Sequence, residues 1–141
     1  MSFINLIESI SLIKKSQKIV LKPVENIKLF IGGKSIITPA KIDTGNEGYN
    51  VLHGTDIIIK NGYVKFKTID EQEPILKIIE LVDINIGANQ LEKRPVVEID
   101  MILNGQKHNG VRFSIGNRKS NTEKCLIGLV FLQTIDCVVK P

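Results

Sequence analysis

The residues best suited to chemistry in this chain are Lys41-Ile42-Asp43-Thr44-Gly45, an apolar strand ending in a carboxylate, a hydroxyl and a glycine. A carboxylate at the end of a buried strand, followed by a residue without Cβ, can be approached closely by backbone N–H groups. Such a carboxylate can activate water. Asp and Gly also recur in ordinary β-turns for reasons of backbone geometry alone, so the triplet by itself leaves a catalytic loop and a plain turn both open.

Other reactive side chains are few. Cys125 and Cys137 lie in apolar sequence without paired spacing and read as buried thiols of a reducing compartment, with a disulfide between them left open. Neither joins His53 or His108 in a Cys-x-x-Cys or His-x-x-x-His pattern that would put metal ligands on one face. Both histidines therefore read as structural or surface residues, and no metal or other cofactor is expected.

Positioning Asp43 falls to a single domain, since 141 residues can build one core but not a two-lobed enzyme. Hydrophobic residues make up 43% of the chain, Trp is absent, and Ile and Val must fill the core, which favours strands. The net charge of +4 comes from scattered lysines, without a basic run or interleaved aromatics, so nucleic acid is not an expected partner. No apolar run approaches the roughly 20 residues of a membrane span. The N-terminal apolar stretch is broken by Asn5, Glu8 and Ser9 and lacks a small-residue cleavage site, which argues against a secretion signal. Together with the cysteines this points to the cytoplasm or another reducing compartment.

Phe3, Leu6, Ile10 and Ile13 recur at helical spacing, which predicts a short amphipathic helix within an N-terminal extension over 1–22. Residues 23–141 then read as strands and turns. Ile27–Ile31, Gly32-Gly33 and Ser35–Ile42 form a hairpin leading into Asp43, with Pro39 marking an edge or irregularity. Tyr49–Leu52 is a short strand, and Asp56–Lys60, Asn61-Gly62 and Tyr63–Thr68 form a second hairpin. Ile75–Asn85 and Arg94–Leu103 flank a break at Gly87-Ala88-Asn89, and Asn104-Gly105 turns the chain into Val111–Ile115. After a polar loop over 116–123 comes Cys125–Gly128, then Leu129–Ile135 as a short helix or final strand. So many short strands predict an all-β fold with a closed, barrel-like sheet.

In order along the chain, Asp43-Thr44-Gly45, a glycine-containing tip at Ile86-Gly87-Ala88, and Leu126-Ile127-Gly128 resemble the motifs of a single-lobe, retropepsin-like aspartic protease. The similarity is greatest to the bacterial pepsin-like family labelled "ATP-dependent zinc protease" and associated with RimK-type ligases. That family's pattern is matched by Lys41 to Gly45, Leu52-His53-Gly54, Asp56-Ile57, Val64-Lys65-Phe66, Arg94-Pro95-Val96, Asn117-Arg118 and Leu126-Ile127-Gly128, over roughly residues 27–133. The resemblance implies a single-lobe pepsin-like barrel with a flap hairpin over Ile86, Gly87 and Ala88, and a supporting strand Leu126-Ile127-Gly128 beside the Asp-Thr-Gly loop. Zinc finds no support, because His-Glu-x-x-His is absent.

With one triplet per chain, the implied enzyme is a homodimer in which two Asp43 carboxylates share a proton and hydrolyse a peptide bond. One acts as general base toward water and the other as general acid. Thr44 would brace the loop across the dimer, Gly45 would offer backbone groups, and Glu47 with the flap would contact a peptide or protein substrate. Two departures stand out: Asn46 replaces a small residue, and Leu129 replaces an arginine that pairs with the carboxylate at the position of Glu47. Glu47 is left with three alternatives, namely a looser dimer, a substitute partner such as Arg118, or a contact to a substrate cation. A catalytically silent pepsin-like dimer that binds an extended peptide or is structural is the alternative function, and an unrelated barrel with a simple Asp-Thr-Gly turn is a third.

Overall fold

The structure, a computed structural model, describes residues 18–141. Its strands are β1 (Ile19–Leu21), β2 (Val24–Ile31), β3 (Lys34–Asp43), β4 (Asn50–His53), β5 (Thr55–Lys60), β6 (Tyr63–Lys67), β7 (Ile75–Lys77), β8 (Glu80–Gly87), β9 (Gln90–Leu103), β10 (Gln106–Gly116), β11 (Cys125–Gly128) and β12 (Cys137–Val139). One short helix, α1 (Leu129–Leu132), separates β11 from β12.

Strand order β10-β4-β11-β3-β2-β9, with β9 also pairing β10, closes a six-stranded barrel, and β8 extends β9 outside it. The fold is thus an all-β barrel, as the strand and turn pattern predicts. Alternation along the wall strands sends Ile27, Leu29 and Ile31 of β2, Val97, Ile99, Met101 and Leu103 of β9, and Phe113 and Ile115 of β10 into one core. Burying each such side chain contributes about 1.5–3 kcal/mol before chain entropy is counted. All four residues of β11 are buried, because it is flanked on both sides, parallel to β3 and antiparallel to β4. A strand enclosed in this way reads as a continuous apolar run.

Three of the turns read from sequence carry positive φ at both of their two positions: Gly32-Gly33 (57° and 81°), Asn61-Gly62 (53° and 79°) and Asn104-Gly105 (51° and 77°). Primed turns of this kind match the twist of antiparallel strands, which is why these pairs were legible as hairpins. Pro39 lies one residue before β3 begins to pair with β11, where one side of the strand is open.

Two expectations need correction. Residues Ile19–Leu21, placed in the N-terminal extension, form a strand paired in parallel with Cys137–Val139 and belong to the domain. The expected helix over Phe3 to Ile13 lies outside the described residues. The segment expected as one strand over Ile75–Asn85 is two, because Ile78 N–H donates to Gly62 O in one sheet and Ile79 N–H to Val96 O in the other, each at 2.8 Å. Of the two alternatives for Leu129–Ile135, the short helix holds over Leu129–Leu132; a turn follows, and β12 begins only at Cys137. Among the described residues no helix is long and apolar enough to cross a membrane.

Candidate active site at the end of strand β3

Asp43 is the last residue of β3 and lies in register with Gly128, the last residue of β11. From Asp43 the chain loops through residues 44–49 and returns as β4 on the other side of β11. The two arms of the loop therefore straddle the end of β11. Asp43 Oδ1 accepts the Gly45 N–H at 3.0 Å, and Asp43 O accepts the Asn46 N–H at 3.2 Å, which turns the carboxylate toward the loop's own backbone. The Asp43 side chain is 27% exposed, and Lys41 Nζ approaches Oδ2 at 3.9 Å across an open surface where such pairs are weak. Thr44 and Gly45 are exposed.

The loop's shape is held by residues the motif does not contain. Asn46 Oδ1 accepts the Gly48 N–H at 3.0 Å, and its Nδ2 donates to Tyr49 O at 3.0 Å. The Asn46 carbonyl accepts the Leu129 N–H at 2.8 Å, tying the loop to the first residue of α1. Asn46 thus appears in the sequence as a departure from a family pattern, yet in the fold it is an internal brace. Asn50, only 4% exposed, was not singled out in the sequence; its Oδ1 accepts the Gly128 N–H at 2.8 Å and its Nδ2 donates to Arg112 O at 3.0 Å. The signal for it was a polar residue entering an apolar strand, since a buried amide must find partners.

Gly128 is required by close approach. A Cβ there would lie 2.8 Å from Asn46 Nδ2, 3.0 Å from Asn46 O and 3.2 Å from Gly48 O. Leu126 and Ile127, buried in the same strand, pair with Lys41 and Ile42 and align the two strand ends.

The structure does not gather every candidate. Ile86, Gly87 and Ala88 lie at the β8–β9 tip, where Gly87 N–H donates to Asn85 Oδ1 at 2.9 Å. On its N-terminal side the hairpin meets the loop, through the Tyr49 hydroxyl donating to Glu80 Oε1. The segment Gln90–Pro95 pairs with β8 and lies beyond the part of β9 that pairs with β10, so the hairpin projects from the barrel. Asn61-Gly62 belongs instead to a separate sheet, β5-β6-β7.

Glu47 is exposed and lines a groove of about 810 Å³ together with Tyr49, Arg112, Val130 and Phe131. No ion pair to Glu47 occurs among the described residues. Arg118 is not its substitute partner: Arg118 Nε donates to Glu123 O at 3.1 Å, and its backbone N–H donates to His53 Nδ1 at 2.8 Å. That geometry makes His53 structural, with Nδ1 the acceptor. Burial, then the charges of Lys124 and Arg118, hold its pKa below the usual value near 6.5.

Cys125 and Cys137 are separate free thiols. Burial pushes the Cys125 thiol up to about 12 and, followed by the charge of Asp136, raises that of Cys137. His108 meets Phe131 edge-on at 5.2 Å, and its Nε2 is buried without a hydrogen-bond partner among the described residues. No group of three His, Cys, Asp or Glu side chains suited to a metal occurs among the described residues.

No protein-family model matches the sequence. No curated protein matches it. Among solved structures, the crystal structure of Lpg0085 from Legionella pneumophila subsp. pneumophila str. Philadelphia 1, a protein of unknown function (DUF785), is similar with a TM-score of 0.70. The two share 23% identity over 89% of this chain and 95% of the other, a likeness that speaks for the fold alone.

Proposed function

We propose that the chain is an aspartic-type endopeptidase that works as a homodimer, with the two Asp43 carboxylates meeting across a two-fold axis. The observation that carries the reading is Asp43 itself, a partly exposed carboxylate at a strand end, with Oδ1 held by the Gly45 N–H and the backbone of Gly128 alongside. One such carboxylate per chain is half of an acid–base pair. Two brought within a few ångströms cannot both ionise, so one stays protonated. The ionised member takes a proton from water as it adds to the scissile carbonyl, and the protonated member donates to the carbonyl oxygen.

In this reading the barrel is a single pepsin-like lobe. The exposed Thr44 and Gly45 face the second copy and the substrate, Glu47 contacts the substrate's flank, and the projecting β8–β9 hairpin closes over an extended peptide as the flap. Leu126, Ile127 and Gly128 support the loop from beneath. Cleavage of a peptide library by wild type but not by Asp43→Asn, with the dimer present in light scattering, is the expected result. Cleavage that survives Asp43→Asn, or a strict monomer that cleaves, would refute it.

A second reading, a catalytically silent pepsin-like dimer that binds an extended peptide, draws support from Leu129 and from Glu47, which has no ion-pair partner among the described residues. The arginine that pairs with this carboxylate in the resembling family is absent here. A dimer that binds peptides without cutting any, at any pH, is the outcome expected of that reading.

A further inference from the structure

The small sheet β5-β6-β7 presents an outward face with an unusual pattern. Its register aligns Ile58, Lys65 and Ile75 in one row and Lys60, Tyr63 and Lys77 in the next. Side chains two apart on a strand share a face, so all six stand on the same side. Val64 and Phe66, on the opposite side, are fully buried in the core, which directs the six outward. Ile58, Tyr63 and Ile75 are 56%, 50% and 65% exposed, and all three lysines are exposed. Cations and large apolar groups thus alternate in both directions, and none of the six positions is acidic. Lys67 continues the pattern on β6, with Glu71 3.9 Å from its Nζ.

We propose that this face docks onto an anionic phospholipid bilayer, a role separate from the chemistry at Asp43. Charge complementarity carries the assignment: three lysines stand together, without acids in their rows, on a chain of net charge +4. The lysines tile a plane instead of following a line, which suits a flat charged surface better than a single polyanionic strand. Isoleucine and tyrosine side chains between them can enter the headgroup boundary while the lysine stems lie alongside and keep their ammonium groups at the phosphates. Tyrosine, apolar in body and polar at its tip, suits that boundary. One aromatic is too few for a series of stacked bases.

Co-sedimentation of the full chain with phosphatidylcholine vesicles, with and without phosphatidylserine, tests the proposal at low salt. Wild type is expected to sediment with the phosphatidylserine vesicles and to be released by salt. Each lysine at an anionic surface is worth about fivefold in affinity, so Lys60→Glu/Lys65→Glu/Lys77→Glu should weaken binding by about a hundredfold or more. Ile58→Ser/Tyr63→Ser/Ile75→Ser should weaken it by about tenfold or more through lost apolar contact. All six side chains are exposed, so both variants keep the fold and either one decides. Lys22→Glu/Lys119→Glu/Lys140→Glu makes the same net change on exposed lysines elsewhere and should leave most of the binding. An equal loss in that control would reduce the effect to net charge and overturn the proposal, as would failure of wild type to bind. If a thymidine oligonucleotide binds instead, and loses its binding in the first lysine variant, the face reads nucleic acid and the lipid assignment falls.

Discussion

Asn50 Oδ1 accepts the backbone N–H of Gly128 at 2.8 Å, across 78 residues of sequence. Asn50 Nδ2 spends its donor on Arg112 O, so one buried amide ties the start of β4 to the end of β11 and to β10. Truncation in Asn50→Ala leaves a buried N–H and a carbonyl unmatched. The expected cost is about 2–4 kcal/mol, seen as a lower denaturation midpoint with an unchanged slope. A loss within about 0.5 kcal/mol would mean that water replaces the amide at no cost.

Gly128→Ala tests close approach at the same place. The methyl group would press on Asn46 O and Gly48 O, backbone atoms that cannot swing aside. About 2–3 kcal/mol of stability should be lost, together with any activity that depends on the Asp43 loop. Wild-type melting behaviour in this variant would show that the loop can shift freely.

Hydrogen exchange addresses the hairpins. If β8–β9 is the flap, amides of 86–89 exchange fast in the free protein and become protected by a peptide inhibitor, while Asn61 and Gly62 do not change. Protection at Asn61-Gly62 alone would move the flap to the β5–β6 hairpin.

These contrasts show how much was legible. Turns announced themselves, because Gly-Gly and Asn-Gly supply the two positive-φ residues that a tight hairpin needs, and the register follows from the turn. The apolar run Cys125–Gly128 read as a buried strand for the same local reasons. The division of Ile75–Asn85 did not, since Ile78 and Ile79 look alike in sequence and only their partners, Gly62 O and Val96 O, assign them to different sheets. The roles of Asn46 and Asn50 were equally hidden. An amide's partners lie across the fold, and nothing in neighbouring residues names them. Asp43 stood out because the triplet that suggests its chemistry is contiguous in sequence.

His53 makes stability depend on pH. Its pKa in the fold lies below the unfolded value, so in the window between them the unfolded chain binds the proton that the fold refuses. Its contribution is complete above the usual value near 6.5 and is lost as pH falls through the lowered value. The melting temperature should therefore drop on mild acidification, and His53→Gln should flatten that drop. A variant that follows wild type throughout would assign the dependence to other groups. If the Asp43 pair works on the acidic side of neutrality, activity and stability draw apart in that range.

Leu129→Arg combined with Asn46→Ala introduces the residue types of the resembling family at two positions near Asp43 where this chain differs from it. Losing the Asn46 hydrogen bonds at this half-exposed site should cost about 1 kcal/mol. A guanidinium at position 129 offers a partner for Glu47. If the wild type cuts slowly or not at all, the double variant should cut at least about tenfold faster, a gain of about 1.4 kcal/mol in the barrier. A double variant that stays folded, dimeric and inert would move the cause of silence away from these positions.

The strand that fills the gap between β3 and β4 is the last of the six barrel strands in sequence order. Until Cys125–Gly128 has left the ribosome, the sides of β3 and β4 that it will cover have no partner, and the barrel cannot close. The nascent chain must therefore hold a half-built wall of open strand edges until β11 emerges. Such edges pair readily with other chains. Closure waits for the last barrel strand, so a truncation just before Cys125 should yield an aggregating species instead of a smaller barrel.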